Sequence, residues 1–406
     1  MDNLTHSLVG AALAELTLPA DAPGTTRRTF FIIGVLAANL PDADLVYTRI
    51  TAAPLGSLLH HRGHTHTIAG IVLLGVAMAA VCALPAIRAT VGPWRNRLWL
   101  LIALGLASHL VLDFWNSYGV HPFWPITSRW FYGDAVYILE PWLWALLGAA
   151  ATMNTRGRWG RVWLGGCVAG LLALGTWMRV IPLPALALLL VVTAGFVAFA
   201  RRWAAQRRSA IALVLSATFV IGVFGMREVA RAEAAATPAA KEFSRHIDFV
   251  LSSQPANPLC WSVLSIQADE KLTAYVMTRG TAALFVRNAC GAPRTQTVEW
   301  ETPQIQSAAR LRALYENDCW VRAWLQFGRA PEIRDNVISD LRYSGPDRPN
   351  FTTMPIGQWS SGNCPRHLTD WRPPRADLLF PEGQTPWGQT PWGQTPSRDL
   401  RHTAFI

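Results

Sequence analysis

Apolar positions crowd the first 230 residues of this chain, where they form long runs rather than the short alternating or one-sided patterns of soluble elements. The runs Ile68 to Ile87, Leu98 to Phe114, Val162 to Met178, Leu183 to Ala200 and Ile211 to Met226 are long enough, or nearly so, to cross a hydrocarbon core. A shorter span, Ile138 to Met153, carries Trp142 and Trp144. Two weaker helical segments, Leu4 to Leu18 and Phe30 to Val46, contain polar residues and are expected to be bundle members screened from lipid by their neighbours. Met1 to Leu18 has neither a basic flank nor a small-residue cleavage site, so an uncleaved start is expected.

From about Arg227 the pattern changes to one richer in Pro, Gly and polar residues, which predicts a folded domain outside the bilayer. Leu259 to Ile266, Leu272 to Thr278 and Ala282 to Arg287 read as strands and Ile305 to Tyr315 as a short helix. Cys82 and Cys167 fall in membrane spans, while Cys260, Cys290, Cys319 and Cys364 fall in this domain. Four cysteines in an oxidising compartment permit two disulfides, with three pairings open. No CxxC spacing supports a zinc ribbon. Gln384 to Gly388 and Gln389 to Gly393 repeat Gln-Thr-Pro-Trp-Gly, too short a unit to bury a core. The expected fold is mainly α: a multi-span transmembrane helical bundle over 1–226, a small extracytoplasmic α+β domain over 227–380, and a disordered repeat tail over 381–406.

Composition sharpens this picture. Of 406 residues, 51% are hydrophobic and 15% charged, too apolar for an ordinary soluble enzyme. The formal net charge of +10 is carried almost wholly by arginine, Lys241 and Lys271 being the only lysines, a bias that a G+C-rich coding genome explains. The expected partner is therefore the lipid bilayer, not nucleic acid; no protein partner can be named. Arg27 and Arg28, then Arg88, Arg95 and Arg97, then Arg156, Arg158 and Arg161, then Arg201, Arg202, Arg207 and Arg208 fall in four separate connections. If these are cytoplasmic, the positive-inside rule puts His6, Asp42, Asp44, the segment His60 to His66, the loop Asn116 to Tyr137 and everything after Met226 on the opposite face. Arg49, Arg62, Arg129 and Arg179 then sit on the outer side, against the trend.

Those outward residues are the ones with metal-binding chemistry. His60-His61-Arg62-Gly63-His64-Thr65-His66 places four imidazoles and a guanidinium in seven residues ahead of an apolar run. His61 and His66 are the preferred ligands; His60 and His64, at i and i+4, could substitute in a helix, but Gly63 argues for a turn. Arg62 suits a carboxylate or a phosphate oxygen, or simply snorkels to the headgroups. Asp42 and Asp44 close an apolar helix after Pro41, His109 and Asp113 share a helix face at i and i+4, and His6 begins the first helix at the same depth. Singly, each has a plainer reading: an interfacial His6, a helix stop at Asp42 and Asp44, a packing pair at His109 and Asp113. Together they favour one site for a divalent metal, with zinc the expected ion.

Met1-Asp2-Asn3-Leu4-Thr5-His6-Ser7, Leu40-Pro41-Asp42-Ala43-Asp44, His61-Arg62-Gly63-His64-Thr65-His66 and Ser108-His109-Leu110-Val111-Leu112-Asp113 resemble, in order, the motifs of the YdjM-like inner-membrane-associated metal-dependent hydrolases. The resemblance runs through Trp144, about the first third of the chain. That family is similar in ligand pattern to zinc-dependent phospholipase C and P1 nuclease, whose His-x-x-x-Asp pair His109 and Asp113 match. The resemblance implies phosphoester hydrolysis at the inner membrane; the arginine-rich loops put the site and the carboxy-terminal domain on the periplasmic or outer face, and that location beside the outer leaflet makes a lipid or lipid-linked phosphoester the expected substrate. Metal-activated water would attack phosphorus, Asp42 or Asp44 would bridge metals or act as base, and Arg62 would stabilise charge. Members often carry aspartate before a proline near the next span; here Glu140-Pro141 stands there. A metal-binding transporter and a non-catalytic protein with a structural metal are the competing classes; the first predicts midplane ligands and repeated halves, neither of which the sequence displays.

Overall fold

The computed structural model describes residues 1–19, 21–237, 239–240, 242–291, 295–343, 349–357 and 364–380; the expected tail over 381–406 lies outside them. Among the described residues, ten α-helices form the amino-terminal part: α1 Asn3–Thr17, α2 Gly24–Asn39, α3 Leu55–His60, α4 Ile68–Cys82, α5 Pro85–Val91, α6 Arg95–Phe114, α7 Pro141–Asn154, α8 Arg158–Trp177, α9 Leu183–Ala200 and α10 Ala205–Ala236. Four stretches are long and apolar enough to cross a membrane: Gly24–Ile50, Pro85–Phe114, Leu183–Ala200 and Ala205–Ala236. A fifth is bent, Leu55–His66 meeting Ile68–Cys82 at 67°.

These spans differ in places from the apolar runs. The run Ile68 to Ile87 breaks before Pro85, whose ring cannot continue a helix, so α4 ends at Cys82 and α5 joins α6. The helix expected over Val162 to Met178 exists as α8 but is not among the five, since Arg158, Trp159, Arg161 and several glycines dilute it. The short span from Ile138 is α7, a central helix of fourteen residues buried from Pro141 to Gly148 and packed by α1, α8, α9 and α10. Outer helices instead expose Leu73, Val76, Val191, Phe199 and Ile221, as surfaces facing hydrocarbon do.

Close approach of small residues sets the geometry of the first three long helices. A Cβ on Gly10 of α1 would meet Gly34 O of α2 at 2.4 Å, and one on Gly105 of α6 would meet Ala37 Cβ at 2.8 Å. Backbones can touch there because no side chain intervenes. One turn along, the same contacts bring His6, Ala38 and His109 side by side.

Beyond α10, β1 Arg245–Gln254, β2 Asn257–Ala268, β3 Ala274–Ala283 and β4 Val298–Trp300 form an antiparallel sheet in that order, and β5 Gln304–Ser307 pairs with the start of β3. Then come α11 Ala308–Asn317, α12 Cys319–Trp324, a second sheet of β6 Pro331–Arg334, β7 Val337–Asp340 and β8 Met354–Pro355, and α13 Ala376–Leu379. Ala282 to Arg287 is not a strand of its own: β3 consumes Ala282 and Ala283, and Phe285 turns with φ 59°. The helix expected from Ile305 starts at Ala308, capped by Ser307, after Ile305 has joined β5. The pairings Cys260–Cys290 and Cys319–Cys364 resolve the three alternatives.

The sheet domain sits on the helices at the end of the bundle where α2 and α6 finish and α1 and α4 begin. The β1–β2 turn docks on the start of α7: Trp142 Nε1 donates to Ala256 O at 3.2 Å, and Ala256 N donates to Glu140 Oε1. Arg329 donates through both terminal nitrogens to Asp134 and through Nε to Asp248. Burial works to raise the pKa of Asp248, but Arg329 and Arg375 outweigh it and hold the carboxyl at about 2. Trp371 Nε1 donates to Leu59 O, closing the domain over α3.

Candidate metal centre

Each segment of the site ends a regular element. Asn39 finishes α2, and a 3-10 turn over Leu40–Val46, with Pro41 in its first turn, carries Asp42 and Asp44. α3 stops at His60, and Gly63 N donates back to His60 O, making the expected turn; a second 3-10 turn, His64–His66, leads into α4. The last turn of α6 presents His109 and Asp113 on one face.

His66 Nε2 and His109 Nε2 approach to 3.0 Å. Asp113 Oδ2 lies 3.1 Å from the first and 3.5 Å from the second, and Asp42 Oδ1 lies 3.4 and 3.5 Å from them. The opposite ring nitrogens explain the tautomers. Ala38 O accepts at 2.7 Å, so Nδ1 of His109 carries the hydrogen and its Nε2 a lone pair. Asp44 Oδ2 lies 3.1 Å from Nδ1 of His66 and imposes the same choice there. With both rings neutral, two imidazole lone pairs and two carboxylate oxygens converge, and Asp113 Oδ2 is buried without a hydrogen-bond partner. Such a set suits a divalent cation, and a carboxylate or backbone carbonyl behind each histidine is the usual means of aiming a metal ligand.

Asp42, His66, His109 and Asp113 offer ligand atoms within 4.8 Å of one another, and Asp42, Asp44 and His61 form a second such group. Asp42 belongs to both, with its Oδ2 held by Asn3 Nδ2 at 2.7 Å. His6 lies against the first group, its ring stacked on His109 at 3.8 Å and its Nε2 3.5 Å from Asp113 Oδ1, but it falls outside both groups. Both His6 nitrogens are buried without hydrogen bonds.

Of the roles open to Arg62, the structure has the carboxylate pair: the side chain is only 2% exposed, too buried for a headgroup-level residue. Its terminal nitrogens donate to Asp113 Oδ1 at 2.9 Å, Asp113 O and Asn116 Oδ1, its plane covers Tyr118, and its backbone N–H reaches Asp44 Oδ2 because φ is 58°. Arg62 therefore positions the two carboxylates; the amino group of Met1 also meets Asp113 Oδ1. Asp44 is held by His61 through Oδ1 and by Arg62 N, Thr65 Oγ1 and His66 through Oδ2. His60 and His64 stay outside: His60 Nε2 pairs with Thr51 Oγ1, and His64 lies against Trp124 and Trp371.

His61, at 24%, is the most exposed of the candidate ligands. Tyr118 stands edge-on to it at 5.8 Å and stacks on the half-exposed Phe351, which packs against Tyr343. Tyr343 and Phe351 were not legible in the sequence, because the sheet domain brings them in from far along the chain. Asn3 and Asn116 were likewise missed, and only their places beside His6 and Asp113 hinted at them. Glu140, in place of the aspartate, sits away from the cluster and accepts from Trp142 N and Ala256 N.

A family model described as YdjM inner membrane protein matches residues 1–229, which include every residue of both ligand groups and none of the strands. A Bacillus subtilis (strain 168) protein described as Uncharacterized protein YfhP is 25% identical over 148 residues. The match covers 35% of this chain and 43% of that relative, so the chain spans under half of the relative's length. No solved structure matches.

Proposed function

The chain belongs to the YdjM inner membrane protein family, and from that premise we propose that it is a membrane-bound metal-dependent hydrolase acting on a phosphoester of a lipid or lipid-linked substrate. The observation that carries this reading is the convergence of His66 Nε2, His109 Nε2, Asp42 Oδ1 and Asp113 Oδ2 at one point. Asp42, His66, His109 and Asp113 would hold one divalent ion, zinc fitting the mixed nitrogen and oxygen donors, and Asp42, Asp44 and His61 a second. Bound there, the metal supplies an acidified water and polarises a phosphoryl oxygen. Asp44 and Ala38 fix the rings of His66 and His109, Arg62 fixes Asp113, and Asp42, the carboxylate common to both groups, or Asp44 would bridge the metals or act as general base. Placement at helix ends beside the sheet domain supports a site at headgroup depth, facing away from the cytoplasm if the arginine-rich loops lie inside.

The burial of His66, His109 and Asp113 favours a second reading, a structural metal that ties α2, α4 and α6 together. Metal analysis of the detergent-purified chain, paired with hydrolysis of phosphodiester and phospholipid substrates and with His66→Ala and Asp113→Ala controls, separates the two. Metal and turnover, both lost in the variants, support the hydrolase. Stoichiometric metal with no turnover on any substrate supports the structural role, and metal content untouched by both substitutions overturns the site.

A further inference from the structure

A cavity of about 790 Å³ lies away from the metal ligands, between the α8–α9 turn and one end of the large sheet. One wall is membrane helix: Trp177, Arg179, Val180 and Leu183 line it, and Leu183 opens α9, a candidate membrane span. The other wall comes from the sheet domain, through Gln254, Thr281 and the Cys260–Cys290 disulfide. A space walled on one side by a span's end and on the other by a water-facing domain lies at the level of lipid headgroups.

Its electrostatics are one-sided. Among the described residues, Arg179 is the one formal charge in the lining, no carboxylate lines it, and Arg179 makes no ion pair. The helix end presents it: with φ 59°, Arg179 closes α8 while Val180 N donates back to Gly175 O. Around the mouth, Trp177, Met178 and Leu183 are exposed at 80, 60 and 70%, an apolar rim suited to acyl chains. Disulfide bonding of Cys290 to β2 holds the opposite rim in place.

We propose that this cavity binds the phosphate headgroup of an anionic phospholipid, with Arg179 as its counter-ion, Gln254 and Thr281 as neutral donors and the Trp177–Met178 rim against the acyl chains. Such a lipid would bridge the α8–α9 turn to the sheet domain, holding that domain on the bundle independently of any metal. No covalent chemistry is involved, and the site does not depend on the hydrolase reading.

The test is native mass spectrometry of the full chain released from neutral detergent after incubation with phosphatidylglycerol, phosphatidylcholine or inorganic phosphate. Saturable retention of phosphatidylglycerol over phosphatidylcholine is expected, weakened roughly tenfold in Arg179→Gln, as loss of one charge-assisted contact implies, and partly restored in Arg179→Lys. Retention in Arg179→Gln equal to that of the unsubstituted chain overturns the proposal, as does equal retention of the two lipids, a comparison that needs no variant. Competition by millimolar inorganic phosphate that removes all bound phosphatidylglycerol would instead assign the cavity to a free anion and also overturn it.

Discussion

His66 Nε2 and His109 Nε2 face each other at 3.0 Å, each ring held by an acceptor at its far nitrogen. Two such lone pairs repel unless a proton or a metal lies between them, and the neighbouring Asp42 and Asp113 oxygens favour the metal. Removing either ring should therefore abolish high-affinity binding at the four-ligand group. Elemental analysis of His109→Ala after dialysis is expected to show one equivalent fewer than the unsubstituted chain; an unchanged count would assign the metal elsewhere.

Asp44 makes a finer test, because its Oδ2 aims the ring of His66 from behind. Asp44→Asn keeps the shape but weakens the acceptor and can present an amide donor to His66. Loss of such an outer partner costs about 10–100-fold in metal affinity. Competition with a chromophoric chelator should read a drop of that size, with far-ultraviolet circular dichroism unchanged.

Arg62 is expected to act through Asp113 rather than on a substrate. Arg62→Ala leaves a buried carboxylate without its guanidinium, and breaking a buried pair costs about 3–5 kcal/mol. The thermal midpoint in detergent should fall, and metal affinity with it. If the variant keeps its midpoint and metal while KM alone rises, Arg62 contacts substrate and the positioning role is wrong.

Much of this centre was visible in the residue pattern because its chemistry is compact in sequence. Pro41 stops a helix just before two carboxylates, Gly63 turns the histidine segment, and four-residue spacing aligns His109 with Asp113. The separation of Asp44 and Arg62 from the inner ligands was not visible, since it depends on which atom faces which across three segments. Strand β1 was missed because Arg245, His246 and Asp248 hide its period, although Phe249, Val250 and Leu251 are buried by both sheet and bundle. Helix α7 looked like a short span because it is uniformly apolar, and a helix surrounded by protein needs no membrane length.

The two disulfides should govern the sheet domain more than the helices. Cys260–Cys290 and Cys319–Cys364 close loops with separations of 30 and 45 residues, and each such link contributes about 2–4 kcal/mol by restricting the unfolded chain. Reduction is expected to expose sites after Arg245 to limited proteolysis while a fragment containing α1 to α10 survives. Simultaneous loss of both parts would show that the domain and the bundle unfold as one unit.

Acid should loosen the same domain through Asp248. Its carboxyl, held at about 2 by Arg329 and Arg375 against the opposing effect of burial, binds its proton more weakly folded than unfolded. A depressed folded-state pKa contributes stability that is complete above the unfolded value, about 4, and is lost as pH falls through the folded value. Near-ultraviolet circular dichroism, which follows the packed tryptophans of the domain, should therefore report decreasing thermal stability between about pH 4 and pH 2. In Asp248→Asn the chain should be less stable at neutral pH, because Arg329 and Arg375 lose a charged partner, and its decline over that interval should be shallower. An equally steep acid decline in the variant would place the acid-sensitive contact outside the Asp248 cluster.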